Sequence, residues 1–289
     1  MRGRRERFLK SFPPPPRKTS TMHTKSTGEV WFIGAGPGAP DLITLRGHKL
    51  IGEADLVLYA GSLVPREVVA HAKPGAVLRD SAPMTLEETH ALIAEFAARG
   101  QNTARVHTGD PTLYGALLEQ TRLLDQDGIP WRVIPGVSAA FATAAAAGQS
   151  LTLPEIRQSV IITRLAGKTP MPPGEDLRAL AASGAALALY LSATLTEELQ
   201  AELLSAGLAP ETKIIVGRRV TWPDEQIFTT RLDQLVKLAQ ENNFTGQTLF
   251  LVLPGESFDP QSATASDPGT SSRLYAGSFN HAFRRTKQD

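Results

Sequence analysis

An α/β fold is predicted by three features of the chain. Apolar strand-like runs alternate with helix-patterned segments over most of its length, the runs are continuously apolar, and loops bearing glycine or proline follow several of them. A strand that is apolar on both faces needs cover on both faces, so helices are expected on each side of a sheet. With 289 residues the chain can bury one large core or two small ones.

The elements follow in order. VWFIG at 30–34 is a β-branched and aromatic strand closed by a glycine, and residues 42–54 repeat apolar positions at helical spacing. DLVLY at 55–59 is a second strand and 66–72 a short helix. AVLRD is a brief third strand, and TLEETHALIAEFAARG a helix that Gly100 ends. TARVHT is the fourth strand, a helix is expected over 114–125, and WRVIPG closes this half. The alanine-rich helix SAAFATAAAAG near the midpoint marks a domain junction after Pro135. SVIITR, ALALYLS, KIIVGRR and TLFLVLP read as buried strands, with helices near 175–182, 196–206 and 232–241 between them. The expected organisation is a basic leader at 1–28, domains at 29–135 and 136–255, and a disordered tail at 256–289. Met22 is a second candidate start within that leader.

Composition removes several kinds of chemistry. The chain has no cysteine, which excludes disulfides, thiolate metal sites and a cysteine nucleophile, and fits a reducing cytoplasm. The net charge of +1 offers no reason to expect nucleic acid or an anionic membrane. The longest apolar run, at 139–148, is too short to span a bilayer. His48, His71, His90 and His107 lack metal-ligand spacing, and no metal site is expected. Gly167-Lys168-Thr169 echoes a phosphate loop, but Ile162 stands where the first glycine belongs.

In open α/β sheets ligands bind beyond the carboxyl ends of strands, so the loops there carry the functional signal. GAGPGAPD at 34–41 satisfies a loose dinucleotide fingerprint. No acid ends the second strand, however: Asp55 stands at its beginning, and Pro37 and Pro40 remove two N–H donors a pyrophosphate would use. An NAD-dependent oxidoreductase is disfavoured on those grounds. HTGDPTLY at 107–114 joins a flexible glycine to a carboxylate, Asp110, that could also cap a helix. IPGVSA at 134–139 ends with Ser138 placed to start one.

Taken in order, GAGPGAPDLITLRG, YAGSLV, RVHTGDPTLYG, VIPGVSA, ITRLAGKTP, YLSAT and TWPDE resemble the tetrapyrrole methylase family over roughly residues 30–255. HTGDPTLYG together with VTWPDE at 220–225 is most similar to the branch methylating precorrin-4, or its cobalt complex, at carbon 11 in cobalamin biosynthesis. The resemblance implies two α/β domains with mixed, mostly parallel sheets, and S-adenosylmethionine in the cleft between them. It implies a homodimer acting on a tetrapyrrole, with no nucleic acid or membrane partner. It places cofactor contact on Pro37, Thr108, Gly109, Asp110, Leu113, Ser138, Ala139, Leu191 and Val220, largely through backbone groups, and expects those loops to converge on one crevice. Asp110 is expected either to bind the cofactor or to orient the loop that does.

No catalytic base transfers. Certain relatives carry an aspartate in the loop after the second strand, where this chain has Ala60-Gly61-Ser62. Asp224 and Glu225 are candidates whose ordinary reading is structural. A substrate rich in carboxylates would draw two or three cations from among Arg46, Arg105, Arg164, Lys168, Arg218 and Arg219. A different target carbon is the nearest rival reading.

Overall fold

Strand β1 (Val30–Gly34) is buried at every position, with Trp31 and Ile33 facing one way and Val30 and Phe32 the other. The computed structural model, which describes residues 27–258, covers both faces. β1 lies in a five-stranded sheet with β2 (Leu56–Tyr59), β3 (Val77–Asp80), β4 (Thr103–His107) and β5 (Trp131–Ile134), in the order β3-β2-β4-β1-β5. All four pairings are parallel.

Helices α1 (Leu45–Glu53) and α2 (Arg66–Val69) lay Leu50, Ile51, Val68 and Val69 on one face of the sheet. Helices α3 (Leu86–Ala98) and α4 (Leu117–Gln126) lay Ile93, Ala97 and Leu124 on the other. α3 starts with a reciprocal cap: the Thr85 hydroxyl accepts from Glu88 N at 3.2 Å, and the Glu88 carboxylate accepts from Thr85 N at 2.8 Å. α4 begins three residues later than the apolar spacing suggests. Tyr114 and Ala116 sit at φ 55° and 48°, and that left-handed backbone cannot belong to a right-handed helix.

The second sheet joins β6 (Val160–Arg164), β7 (Ala186–Tyr190), β8 (Thr212–Arg218), β9 (Gln226–Arg231) and β10 (Thr248–Ser257) in the order β6-β7-β10-β8-β9. Only β6 and β7 pair in parallel; the other three pairings are antiparallel. The expected mixed, mostly parallel character is thus divided: the first sheet is wholly parallel and the second is mixed, mostly antiparallel. β9 has no counterpart in the sequence reading: as an edge strand it is only partly covered, so it lacks the apolar run that marks the others.

Helix α5 (Ala139–Ala146) packs Ala140 and Ala144 against Ala186 and Ala188 on one face of this sheet, small residues meeting small residues. α6 (Leu177–Ala181), α7 (Thr196–Ser205) and α8 (Leu235–Asn242) cover the other with Leu177, Leu199, Leu203 and Leu235 against Leu187, Leu189 and Phe250.

β10 corrects the tail boundary. Glu256, assigned from composition to the tail, lies within the strand and is 7% exposed. Its carboxylate pairs with buried Arg157 and with Lys213. The leader up to residue 26 and the tail from residue 259 lie outside the described residues. Among the described residues, no helix is long and apolar enough to cross a membrane.

Candidate functional site

The loops after β1, β4 and β5 meet at the carboxyl end of the parallel sheet. Gly36 and Gly109 form a two-way bridge, with N–H···O distances of 3.2 and 2.8 Å, and Ala35 N donates to His107 O at 2.7 Å. Gly136 packs against both neighbouring loops. A Cβ there would lie 2.0 Å from Gly109 O and 2.7 Å from Gly34 Cα, so only glycine permits the approach.

Asp110 fastens the junction. Its Oδ2 accepts from Gly136 N at 2.9 Å, and its Oδ1 accepts from Thr112 N at 2.9 Å and Thr112 Oγ1 at 2.6 Å. Burial pushes this carboxyl up, but the Thr112 hydroxyl and the Gly136 and Thr112 N–H groups together outweigh it and hold the pKa below the ordinary aspartate value. Of the two roles expected for Asp110, loop orientation is the one these bonds perform.

Across from these loops stands the second sheet. Trp222 Nε1 donates to Pro37 O at 3.0 Å, Thr221 Oγ1 accepts from Ala39 N at 2.9 Å, and Gln247 Nε2 donates to Ser62 O at 3.1 Å. Tyr190 OH shares a 2.5 Å hydrogen bond with Ser138 and accepts from Ala140 N at 2.9 Å. Burial raises the Tyr190 pKa, so the phenol stays protonated.

Between the two sides lies a cleft of ≈ 380 Å³. A second recess of ≈ 330 Å³ adjoins it, with Leu63 and Thr108 lining both. Five of the eight described non-glycine residues with positive φ (Tyr114, Ala116, Leu191, Arg219 and Gln247) line these two cavities. Such backbone persists only where its surroundings enforce it, and it clusters at ligand sites. Leu191, at φ 54°, is held 67% exposed at the end of β7.

The nine residues singled out in the sequence divide by position. Pro37, Thr108, Ala139, Leu191 and Val220 line the larger cleft, and Leu113 lines the adjoining recess. Gly109, Asp110 and Ser138 stand behind the cleft lining, holding the loops together.

Asp224 pairs with Arg219 at 2.7 Å, and Glu225 accepts from Thr221 N at 2.6 Å; neither lines the cleft or the adjoining recess. Among the six candidate cations, Arg219 and Arg105 line the cavities. Arg164 binds the carbonyls of Leu165, Thr169 and Pro170, Arg218 binds Gln226 and Asn242, and Arg46 and Lys168 are exposed. Asp55 lies at the opposite end of the sheet, bonded to Lys73 and Asn102 N.

Tyr190, Gln247 and the latch formed by Trp222 escaped the sequence reading. Trp222 stood in a recognised motif, but its partner Pro37 is 185 positions away.

Residues 29–236 match the profile of the Tetrapyrrole (Corrin/Porphyrin) Methylases. The chain is 42% identical over 257 residues to a cobalt-precorrin-4 C(11)-methyltransferase of Priestia megaterium, covering 89% of this chain and 98% of that one. Among solved structures, a cobalt precorrin-4 methyltransferase of cobalamin biosynthesis superposes with a TM-score of 0.76 at 43% identity, covering 78% of this chain and 94% of that one. The uroporphyrin-III C-methyltransferase of Thermus thermophilus, in complex with S-adenosylhomocysteine, superposes with a TM-score of 0.65 at 27% identity, covering 78% and 92%. With a family profile spanning most of the described residues, a relative 42% identical over nearly its whole length and a superposing solved structure, this chain belongs to the tetrapyrrole methylase family.

Proposed function

We infer that this chain transfers a methyl group from S-adenosylmethionine to carbon 11 of precorrin-4 or its cobalt complex, a step of cobalamin biosynthesis. The observation that carries the reading is the convergence of three glycine-bearing loops with the Leu191 and Val220 wall on one cleft, in a chain so similar to a named carbon-11 methyltransferase.

The cleft suits that donor. No carboxylate lines it, and its one charged lining residue, Arg219, is committed to Asp224 and Gln247. A sulfonium in it therefore meets no strong counter-charge that would favour the reactant over the more dispersed charge of the transition state. When bound, S-adenosylmethionine supplies an activated methyl with a neutral thioether as leaving group.

What remains for the protein is placement: bringing donor and acceptor carbon to ~3–3.5 Å in line. Pro37, Thr108 and Ala139 present main-chain groups to the donor, Leu191 and Val220 present apolar surface, and Asp110 and Ser138 keep the loops in register. The adjoining recess, where Leu113 lies, faces the acceptor. The two catalytic halves correspond to domains at 29–135 and 136–255, the second carried on through the end of β10, and the working assembly is a cytoplasmic homodimer, whose oligomeric state light scattering tests.

Calorimetry with S-adenosylhomocysteine tests the first half of the reading, and saturation by NAD instead would overturn it. Incubation with labelled methyl donor and precorrin-4, with and without cobalt, followed by NMR location of the new methyl, tests the second. A methyl on another carbon would reassign the substrate.

A further inference from the structure

The recess beside the main cleft contains two groups that the fold leaves incompletely satisfied. Arg105, on β4, donates through Nε to Gln120 at 3.0 Å and through Nη1 to Ser81 Oγ at 2.8 Å and Leu58 O at 3.4 Å. Among the described residues its Nη2 has no hydrogen-bond partner, and no carboxylate comes within ion-pair distance of it. His107, two residues along the same strand, is 8% exposed, and its Nε2 is buried without a hydrogen-bond partner. Both line the recess, together with Ser81.

Arg105 is half-buried with no carboxylate partner, so its charge is only partly compensated, and an orphaned buried imidazole nitrogen is rare. Burial lowers the Arg105 pKa to about 10, which still leaves it charged at neutral pH. Burial, with the charge of Arg105 second, lowers His107 to about 3, so the ring is neutral and can offer Nε2–H as a donor. A cation with a free N–H, a neutral ring donor and a serine hydroxyl, in a recess that opens on a cleft, form a site for a planar anion.

We propose that this recess is a carboxylate subsite in which Arg105 and His107 hold one acidic side arm of the tetrapyrrole, setting the macrocycle's orientation before the cleft. The subsite takes its ligand from the substrate class inferred above, and it makes Arg105 a specificity-determining residue that holds the acceptor.

The test compares Arg105→Gln and Arg105→Lys with the wild-type protein in steady-state methyl transfer to precorrin-4. Arg105→Gln should raise KM for the tetrapyrrole roughly 10- to 100-fold, as loss of a charge-assisted hydrogen bond implies. Its melting temperature should fall, because the bonds to Gln120, Ser81 and Leu58 are lost. Its kcat should stay within about threefold and its S-adenosylhomocysteine affinity should be unchanged, so that the loss falls on KM for the tetrapyrrole, a split that a merely structural arginine would not produce. Arg105→Lys, which keeps the charge without the fork, should fall between.

An unchanged KM in folded Arg105→Gln overturns the subsite while leaving the methyltransferase reading intact; a wild-type protein that methylates no precorrin overturns both. Weakened binding of S-adenosylhomocysteine, with 5′-methylthioadenosine unaffected, would instead give the recess to the cofactor's own carboxylate. Should Arg105→Gln fail to fold, NMR of the wild-type His107 ring decides the matter. Titration with uroporphyrin should shift Nε2, and its octamethyl ester should not; equal responses sink the proposal.

Discussion

Replacing Asp110 with alanine removes the side chain whose hydrogen bond to Gly136 N ties the loop after β4 to the loop after β5. The structure sets the size of the effect. A hydrogen bond to a charged acceptor is worth ~1.5–3 kcal/mol when shielded, and the bond from Gly136 N is the partly buried, long-range one. The two bonds from Thr112 are local and exposed, so solvent screening leaves them little. About 2 kcal/mol is therefore at stake, divided between stability and the order of the cleft.

Titration calorimetry with S-adenosylhomocysteine should show Asp110→Ala binding roughly 10-fold more weakly, since ~1.4 kcal/mol corresponds to that factor. Asp110→Asn should fall between, because an amide keeps an acceptor for Gly136 or for Thr112 but not for both. The sign of the pH dependence follows from the lowered pKa. The stabilisation is complete above the unfolded-state value of ~3.9 and disappears as pH falls through the lower folded-state value. The melting-temperature gap between wild type and Asp110→Asn should close over that acid range. Wild-type affinity and melting in Asp110→Ala would refute the role of this carboxylate as the fastening between loops.

Four further substitutions test other parts of the structure. Gly136→Ala forces a methyl onto two backbones and should lower the melting temperature by roughly 5 °C or more, an overpacking cost of ~1–3 kcal/mol; differential scanning calorimetry reads it. Trp222→Phe loses the indole bond to Pro37 O while keeping most of the ring, and should weaken S-adenosylhomocysteine binding about fivefold by calorimetry. Glu256→Ala strands buried Arg157 and should cost ~3–5 kcal/mol in urea unfolding, and a chain ended at residue 255 should be at least as destabilised. Wild-type stability should fall between pH 6.5 and 5, because the unfolded chain protonates His107 and the folded chain, with a pKa of about 3, does not; His107→Gln should flatten that slope in urea titrations.

Local pattern was enough to place most elements. β1 emerges with the bounds its composition suggests, and α3 begins at the Thr85 cap and stops at Gly100. These are properties of neighbours in the chain: alternation records burial on two faces, and capping chemistry acts over three or four residues. The functional loops were legible for the same reason, since runs of glycine and proline record backbone that must turn sharply.

Everything that depended on remote partners was decided by the tertiary structure. β9 pairs with β8 without an apolar run of its own, and Glu256 is buried because Arg157, 99 positions away, meets it there. The late start of α4 reflects backbone bent around a recess, and the unsatisfied groups of Arg105 and His107 exist only once β4 is enclosed. Which carboxylate finds a cation, and which cation is left without one, is fixed by packing between segments that the chain itself keeps far apart.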